Sequence, residues 1–471
     1  MPEKRAAPMT TPITTTPDIL KLPRDLGDGL VLRATTAADA EALADFDARI
    51  FANRKTDEPA EWARLWTLDM IGDTHPAIGP DDLLIVEDTR TGTDTEPRRI
   101  ASAIHFISQT WTYAGIPFGV GRPELVGTHP DYRRRGLVRA LFAYFHARSA
   151  ARGELMQVIT GIPWYYRQFG YEMAAPLEGG RIVALSEIAP RRDSDGDGDA
   201  EPFTLRPATE ADLPFLIATE AAYTAAHLFA AVRDDALWRY ALTGMRVGSS
   251  PFRDYRVIVS AAGVAVGYLA HFPRVTRDGN LYVTRFALAP GVSWAAVIPT
   301  VLRALKATAE AYAARENYPA ARILFEIGAE HPAFTVAPRL FPVVIPSYAW
   351  YVRVPDLPAF LRQITPVLER RLAASVVAGH TGTLLLNFYR TGLRLAFTEG
   401  RLTEIEACAP DTHEREGAAF PDQTFLQLVC GHRTLAELEY AFADVQIRTD
   451  TARALLTALF PKQFSDVWPV A

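Results

Sequence analysis

The chain has 471 residues, 49% of them apolar and 22% charged, with a net charge of −6. That length exceeds what one hydrophobic core fills, so two to three domains are expected. The mildly acidic balance argues against a nucleic-acid binder, which would carry a basic face. Two cysteines, Cys408 and Cys430, make no disulfide framework of any size and match no zinc spacing, so a reduced cytoplasmic setting and no metal are expected.

Residues 1–28 are rich in Thr and Pro without an apolar core, and read as a flexible tail rather than a signal peptide. No uninterrupted apolar stretch is long enough to span a bilayer. Leu30-Val31-Leu32-Arg33-Ala34 alternates as a strand does, then turns through Thr36 and Asp39 into a helical pattern. Residues 99–105 and 115–128 read as strands of an antiparallel meander. Residues 137–152 predict an amphipathic helix with Leu137, Leu141, Tyr144 and Phe145 on one face. An apolar strand, 155–160, and a short aromatic segment to Tyr171 come next.

The acidic, Gly-containing run 191–202 has nothing to bury and reads as a linker. Its Asp-rich spacing suggests calcium only superficially, because an EF-hand loop needs a Glu at its twelfth position and flanking helices. Beyond it, Phe203-Thr204-Leu205-Arg206-Pro207-Ala208-Thr209-Glu210-Ala211-Asp212 echoes the segment from Leu30. Strands over 255–272, 281–288 and 322–327 and a helix over 295–315 repeat the earlier order, which predicts two copies of one unit. From about residue 354 the character changes. Strands at 384–389, 393–397 and 402–407 and helices at 422–430, 435–441 and 449–459 predict a small third domain.

The chemistry concentrates where the strand ending at Thr128 meets the helix near Gly136. His129-Pro130-Asp131-Tyr132-Arg133-Arg134-Arg135-Gly136 places arginines and free backbone N–H groups together at a helix N-terminus, a ready pyrophosphate site. Arginine is the general cation of this chain, with lysine only at Lys4, Lys21, Lys55, Lys306 and Lys462, so the triplet alone is weak evidence. About thirty residues later stands Gly161-Ile162-Pro163-Trp164-Tyr165-Tyr166-Arg167-Gln168-Phe169-Gly170-Tyr171. Together the two segments resemble the GNAT family of N-acetyltransferases, with Val138 standing where that pattern prefers Gly or Ala.

The whole chain further resembles the bacterial "enhanced intracellular survival" acetyltransferases. That resemblance implies an α/β (α+β) fold of two tandem GNAT units with mixed, mostly antiparallel sheets, and then a small sterol-carrier-protein-like domain. The expected partition is a tail at 1–28, a catalytic GNAT domain at 29–188, a linker at 189–201, a degenerate GNAT-like domain at 202–353 and the third domain at 354–471. It implies acetyl-CoA as cosubstrate, held by Val126, Gly127 and Thr128 along a splayed strand and by Arg133, Arg134, Arg135, Gly136, Leu137, Val138 and Arg139 at the pyrophosphate. Gly161 and Ile162 would flank the pantetheine.

Tyr166 matches the tyrosine that protonates the departing thiolate, with Tyr165 a neighbour better suited to core packing. For the base, the resemblance points to the terminal carboxylate of Ala471, although that family usually ends in an aromatic residue; Glu124 is the alternative. His129 and His146 read as structural. The second unit carries Leu288-Ala289-Pro290-Gly291-Val292-Ser293-Trp294 where the phosphate turn would be, without an arginine, so it is not expected to hold CoA. The implied acceptor is a polycationic small-molecule amine such as an aminoglycoside. A protein amine, or a lipid-binding scaffold without catalysis, remain alternatives. A homo-oligomer, trimer or hexamer, is expected.

Overall fold

The computed structural model describes residues 19–72, 74–93, 98–191, 201–410, 416–421 and 423–467. The expected linker therefore lies largely outside the described residues, as do most of the tail and Ala471.

Three sheets form the framework. The first is built on a long hairpin, Arg99–Tyr113 with Ile116–Thr128, extended by Leu83–Asp88 and Leu30–Ala34 on one side and Met156–Ile159 on the other. The hairpin runs well past the expected end at residue 105. The turn at Ala114 and Gly115, with φ of +45° and +89°, closes the two strands on each other. Helix Leu137–Ala151 packs its Leu137, Leu141, Tyr144 and Phe145 face into the core, as the apolar spacing requires.

The second sheet repeats this plan. Phe203–Pro207, Asp254–Ser260, Ala265–His271, Asn280–Leu288 and Arg322–Phe325 are hydrogen-bonded in that order, and only the last pair is parallel. In the first sheet, too, the pair Ile116–Thr128 and Met156–Ile159 is parallel. The repeated openings share their local geometry. Arg33 donates to both oxygens of Asp39 at 2.9 and 2.7 Å, and Arg206 to both oxygens of Asp212 at 2.7 and 2.6 Å. Each aspartate closes a capping box with Thr36 or Thr209, satisfying donors that the helix start leaves open.

The two sheets interlock across the expected boundaries. Gly180–Ala184 crosses into the second sheet, beside Arg322–Phe325 and Val343–Ile345. Tyr348–Arg353 returns to the first sheet and inserts between Met156–Ile159 and Glu172–Leu177. Phe229–Val232 also returns to the first sheet, pairing with Thr110–Tyr113. Sheet membership therefore changes hands at about residues 178 and 346, with this excursion between them, rather than at the expected linker and at 353.

The third sheet, centred on Gly382–Asn387, Gly392–Thr398 and Arg401–Cys408, packs with helices Thr365–Ala373, Thr424–Val429 and Asp450–Leu459. Its core is continuous with one face of the first sheet: Tyr113, Phe118 and Trp350 join Phe360, Leu428 and Leu456 in one buried cluster. Among the described residues no helix is long and apolar enough to cross a membrane.

Candidate active site

The site grows from a defect in the central strand. Val120 and Gly121 pair with Met156 and Gln157, after which the two parallel strands part. At the same place the hairpin register slips between Ala103 and His105, and Leu125 adopts φ +45°. A bulge of this kind turns backbone groups out of the ladder and bends the strand. Beyond the bulge, Val126, Gly127 and Thr128 line one wall of a cleft of about 590 Å³. Ile162, Tyr165 and Tyr166 line it too.

The mouth of this cleft is the arginine turn. Arg134 at φ +65° and Gly136 at φ +77° are both left-handed, which a glycine adopts without the steric cost a side chain would meet. A Cβ at Gly136 would meet no atom within 4 Å, so its glycine serves the backbone conformation and leaves the approach to the helix N-terminus open. Leu137, Val138 and Arg139 continue along the wall. Arg54, Arg133 and Arg134 reach this cleft, are exposed, and form no ion pair among the described residues. In a chain of net negative charge, such a cluster marks a seat for an anion.

Of the expected residues, two stand slightly apart from the lining. Arg135 lies over the Tyr132 ring, 5.4 Å from its centroid. Gly161 sits behind Tyr166, close enough that a Cβ would come within 3.8 Å of the hydroxyl, and its carbonyl accepts from Tyr348 at 2.9 Å.

Tyr166 is held in the short helix Tyr165–Phe169 by an aromatic cage. Tyr165, Tyr351 and Phe142 stand 5.2, 5.5 and 5.9 Å from it, centroid to centroid. Its hydroxyl has no hydrogen-bond partner among the described residues. Burial, and then the nearby Glu124 charge, raise its pKa above the ordinary tyrosine value. The phenol thus stays protonated and can donate. Tyr165 is half-buried and shares both the core and the cleft wall.

The histidines behave structurally. His129 Nδ1 accepts from the Asp131 amide at 3.3 Å, and His146 shares a 3.0 Å hydrogen bond with the Tyr171 hydroxyl. Burial lowers the His146 pKa to about 3.

Glu124 opens onto a different space. A crevice of about 320 Å³ lies between the first two units, walled by Trp62, Trp66, Phe252 and Phe272, with Glu124, Glu178, Arg122, Arg253 and Arg274 as its charged groups. Regular strand alternation would put Glu124 on one face with Val126 and Thr128, and the bulge at Leu125 breaks it. Glu124 therefore faces this crevice, while Val126 to Thr128 face the cleft. Its carboxylate accepts from Arg122 Nε at 2.6 Å, and that guanidinium lies 5.3 Å from the Trp350 ring centroid.

Sequence reasoning missed the end of helix Ala40–Ile50, which brings Ile50, Phe51, Ala52 and Arg54 to the cleft. Gly127 was the available signal: a Cβ there would lie 2.9 Å from Ile50, so that glycine admits the helix. It also missed Tyr351, whose hydroxyl accepts from the Trp164 amide at 2.5 Å. No local pattern links a residue so far along the chain to Tyr166.

Residues 31–174 match the family model described as an acetyltransferase (GNAT) domain. No curated protein matches the chain. Among solved structures, the chain is similar to a conserved protein from Enterococcus faecalis V583 described as a probable N-acyltransferase, at 13% identity and a TM-score of 0.63, covering 94% of this chain and 99% of that one. It is similar to a GCN5-related N-acetyltransferase from Kribbella flavida, at 16% identity and TM-score 0.57, over 93% and 97% of the two chains. It is also similar to Eis1 from Mycobacterium abscessus, at 15% identity and TM-score 0.57, over 93% and 99%. At such identities the likeness is one of fold. The chain carries a GNAT acetyltransferase domain, and it is an acetyl-CoA-dependent N-acetyltransferase.

Proposed function

We propose that the enzyme moves the acetyl group of acetyl-CoA to a primary amine of a small polycationic molecule of the aminoglycoside kind, with Tyr166 as general acid. The observation that carries the reading is the buried Tyr166, whose hydroxyl has no hydrogen-bond partner among the described residues, lining the cleft between two parted strands with the arginine turn at its mouth. Arg133, Arg134, Arg139 and the amides from Gly136 to Val138 would hold the pyrophosphate, with Arg135 beside them. Val126, Gly127 and Thr128 on one side and Gly161 and Ile162 on the other would flank the pantetheine. Backbone N–H groups turned out by the bulge would polarise the thioester carbonyl. The sulfur leaves as the amine attacks, and Tyr166 supplies its proton.

The crevice beside Glu124 is the proposed acceptor site. Its Glu124 and Glu178 carboxylates are the groups that would meet an amine there, beside Arg122, Arg253 and Arg274, and its size favours a small molecule over a folded protein. Glu124, ion-paired with Arg122, is one proposed base for the amine. The terminal carboxylate of Ala471, by resemblance to the enhanced-intracellular-survival family, is the other. In the same reading the second unit is a degenerate GNAT fold and the third is sterol-carrier-like. The partition is 29–188, 202–353 and 354–471, apart from the exchanged strands, and the assembly is a cytoplasmic homo-oligomer.

Tyr166→Phe tests the assignment. Thiol release from acetyl-CoA with an aminoglycoside panel is expected to fall about 10²- to 10⁴-fold, while acetyl-CoA binding by calorimetry stays unchanged. Full activity in the variant would remove Tyr166 from the mechanism.

A further inference from the structure

The second sheet has a parting of its own. Asn280–Leu288 and Arg322–Phe325 pair through Val283 and Phe325, with a last bond from the Glu326 amide to the Val283 carbonyl at 2.9 Å, and then separate. In the first unit the equivalent gap opens on the cleft that holds Tyr166. In the second, this chain's own C-terminal segment lies against both of the parted edges. A Cβ at Gly328 would fall 2.4 Å from the Phe464 ring, so the glycine makes room for that side chain. Phe464 stands edge-on to His227 at 4.9 Å, and its carbonyl accepts from the Leu228 amide at 2.8 Å. The Ser465 hydroxyl accepts from the Phe229 amide at 3.2 Å. Asp466 ion-pairs with the fully buried Arg285, which also lies 3.4 Å from Glu220. Val467, buried, then enters a small crevice with Glu178, Arg253 and Glu326. Glu178, Arg253 and Phe272 line both this crevice and the proposed acceptor site.

We infer that residues 464–467 are an intramolecular ligand of the second unit's parted strands, and that Asp466, seated on Arg285, is a positioning residue that fixes one wall of the acceptor site. The arrangement gives the missing phosphate turn a physical reason: a cleft filled by the chain's own peptide has no pyrophosphate to hold. The buried ion pair fixes the register of the segment against the second sheet. Removing one partner leaves the other charge uncompensated, which is costly in a buried setting. The inference rests on the acceptor reading of the crevice only for its kinetic part.

The test uses the full chain with Asp466→Asn, and Asp466→Glu as the rescue that restores charge. Spermidine and kanamycin serve as amine probes. Asp466→Asn is expected to raise the amine KM about tenfold with the acetyl-CoA KM unchanged, and to speed amide hydrogen exchange across 461–467 by about tenfold. Asp466→Glu should recover part of both. Unchanged exchange in Asp466→Asn overturns the seating. Faster exchange with an unchanged amine KM overturns the positioning role. A parallel loss of acetyl-CoA binding marks general unfolding and also overturns it. If wild type acetylates neither amine, the acceptor reading fails by itself, and exchange alone still decides the seating.

Discussion

Burial moves the proton affinities of Tyr166 and Glu326 in the same direction, with different consequences at neutral pH. For Tyr166 the neutral form is the useful one. Its raised pKa keeps the phenol protonated beyond the ordinary tyrosine range, as the proposed role of general acid requires. Glu326 is pushed up to about 7 by burial first and by Glu178 second, with Arg253 opposing. A carboxyl raised in the folded state binds its proton more tightly there than in the unfolded chain. Its contribution to stability is therefore complete below the unfolded value of about 4.3 and declines as pH rises toward 7. Glu326→Gln, which cannot ionise, is expected to melt higher than wild type at pH 8 and within error of it at pH 4.5. A wild-type melting curve independent of pH over that interval would show that the raised value is not realised.

The elements carry both the internal repeat and its interruption. Arg33–Asp39 and Arg206–Asp212 are visible as a sequence echo because each pair closes within seven residues, so the same local physics recurs wherever the pattern does. The strand Tyr348–Arg353 is the opposite case. It is apolar and aromatic, as strands often are, yet nothing within it states that it will sit beside Val158 and Glu172. Val352 is paired on both edges and buried. Val352→Pro removes the backbone donor and leaves a buried acceptor unsatisfied, a cost of about 1–3 kcal/mol before steric strain. The expected outcome is loss of acetyl-CoA binding together with a lowered melting temperature, although the substitution lies nearly two hundred residues from Tyr166. Retained binding would mean the first sheet closes without this strand.

Across the molecule, the third unit and the first sheet share one core, so the catalytic fold depends on residues far outside the matched acetyltransferase segment. Phe360 is fully buried against Tyr113 and Phe118, at 5.9 and 5.3 Å between ring centroids. Tyr113 donates to the Val429 carbonyl at 2.8 Å and accepts from Arg371 at 3.1 Å, tying the same surfaces by hydrogen bonds. Phe360→Ala is expected to cost about 3–5 kcal/mol, read by chemical denaturation. Acetyl-CoA binding should be lost in the same transition as the third unit's helical signal. Two separated transitions would show that the units are energetically independent.

The arginine turn, the glycine at 136, the tyrosine at 166 and the amphipathic helix between them were all legible in the sequence. Each depends on residues within one turn or one strand, where backbone sterics and 3.6- or 2-residue periodicity govern. The exchange of strands between sheets, the separation of Glu124 from Val126 by a bulge, the arrival of Arg54 at the cleft and of Tyr351 beside Tyr166, and the seating of Asp466 on Arg285 were not. These arise from pairings between segments tens to hundreds of residues apart, whose partners are selected by burial and hydrogen-bond completion in the assembled fold, and no local pattern encodes that selection.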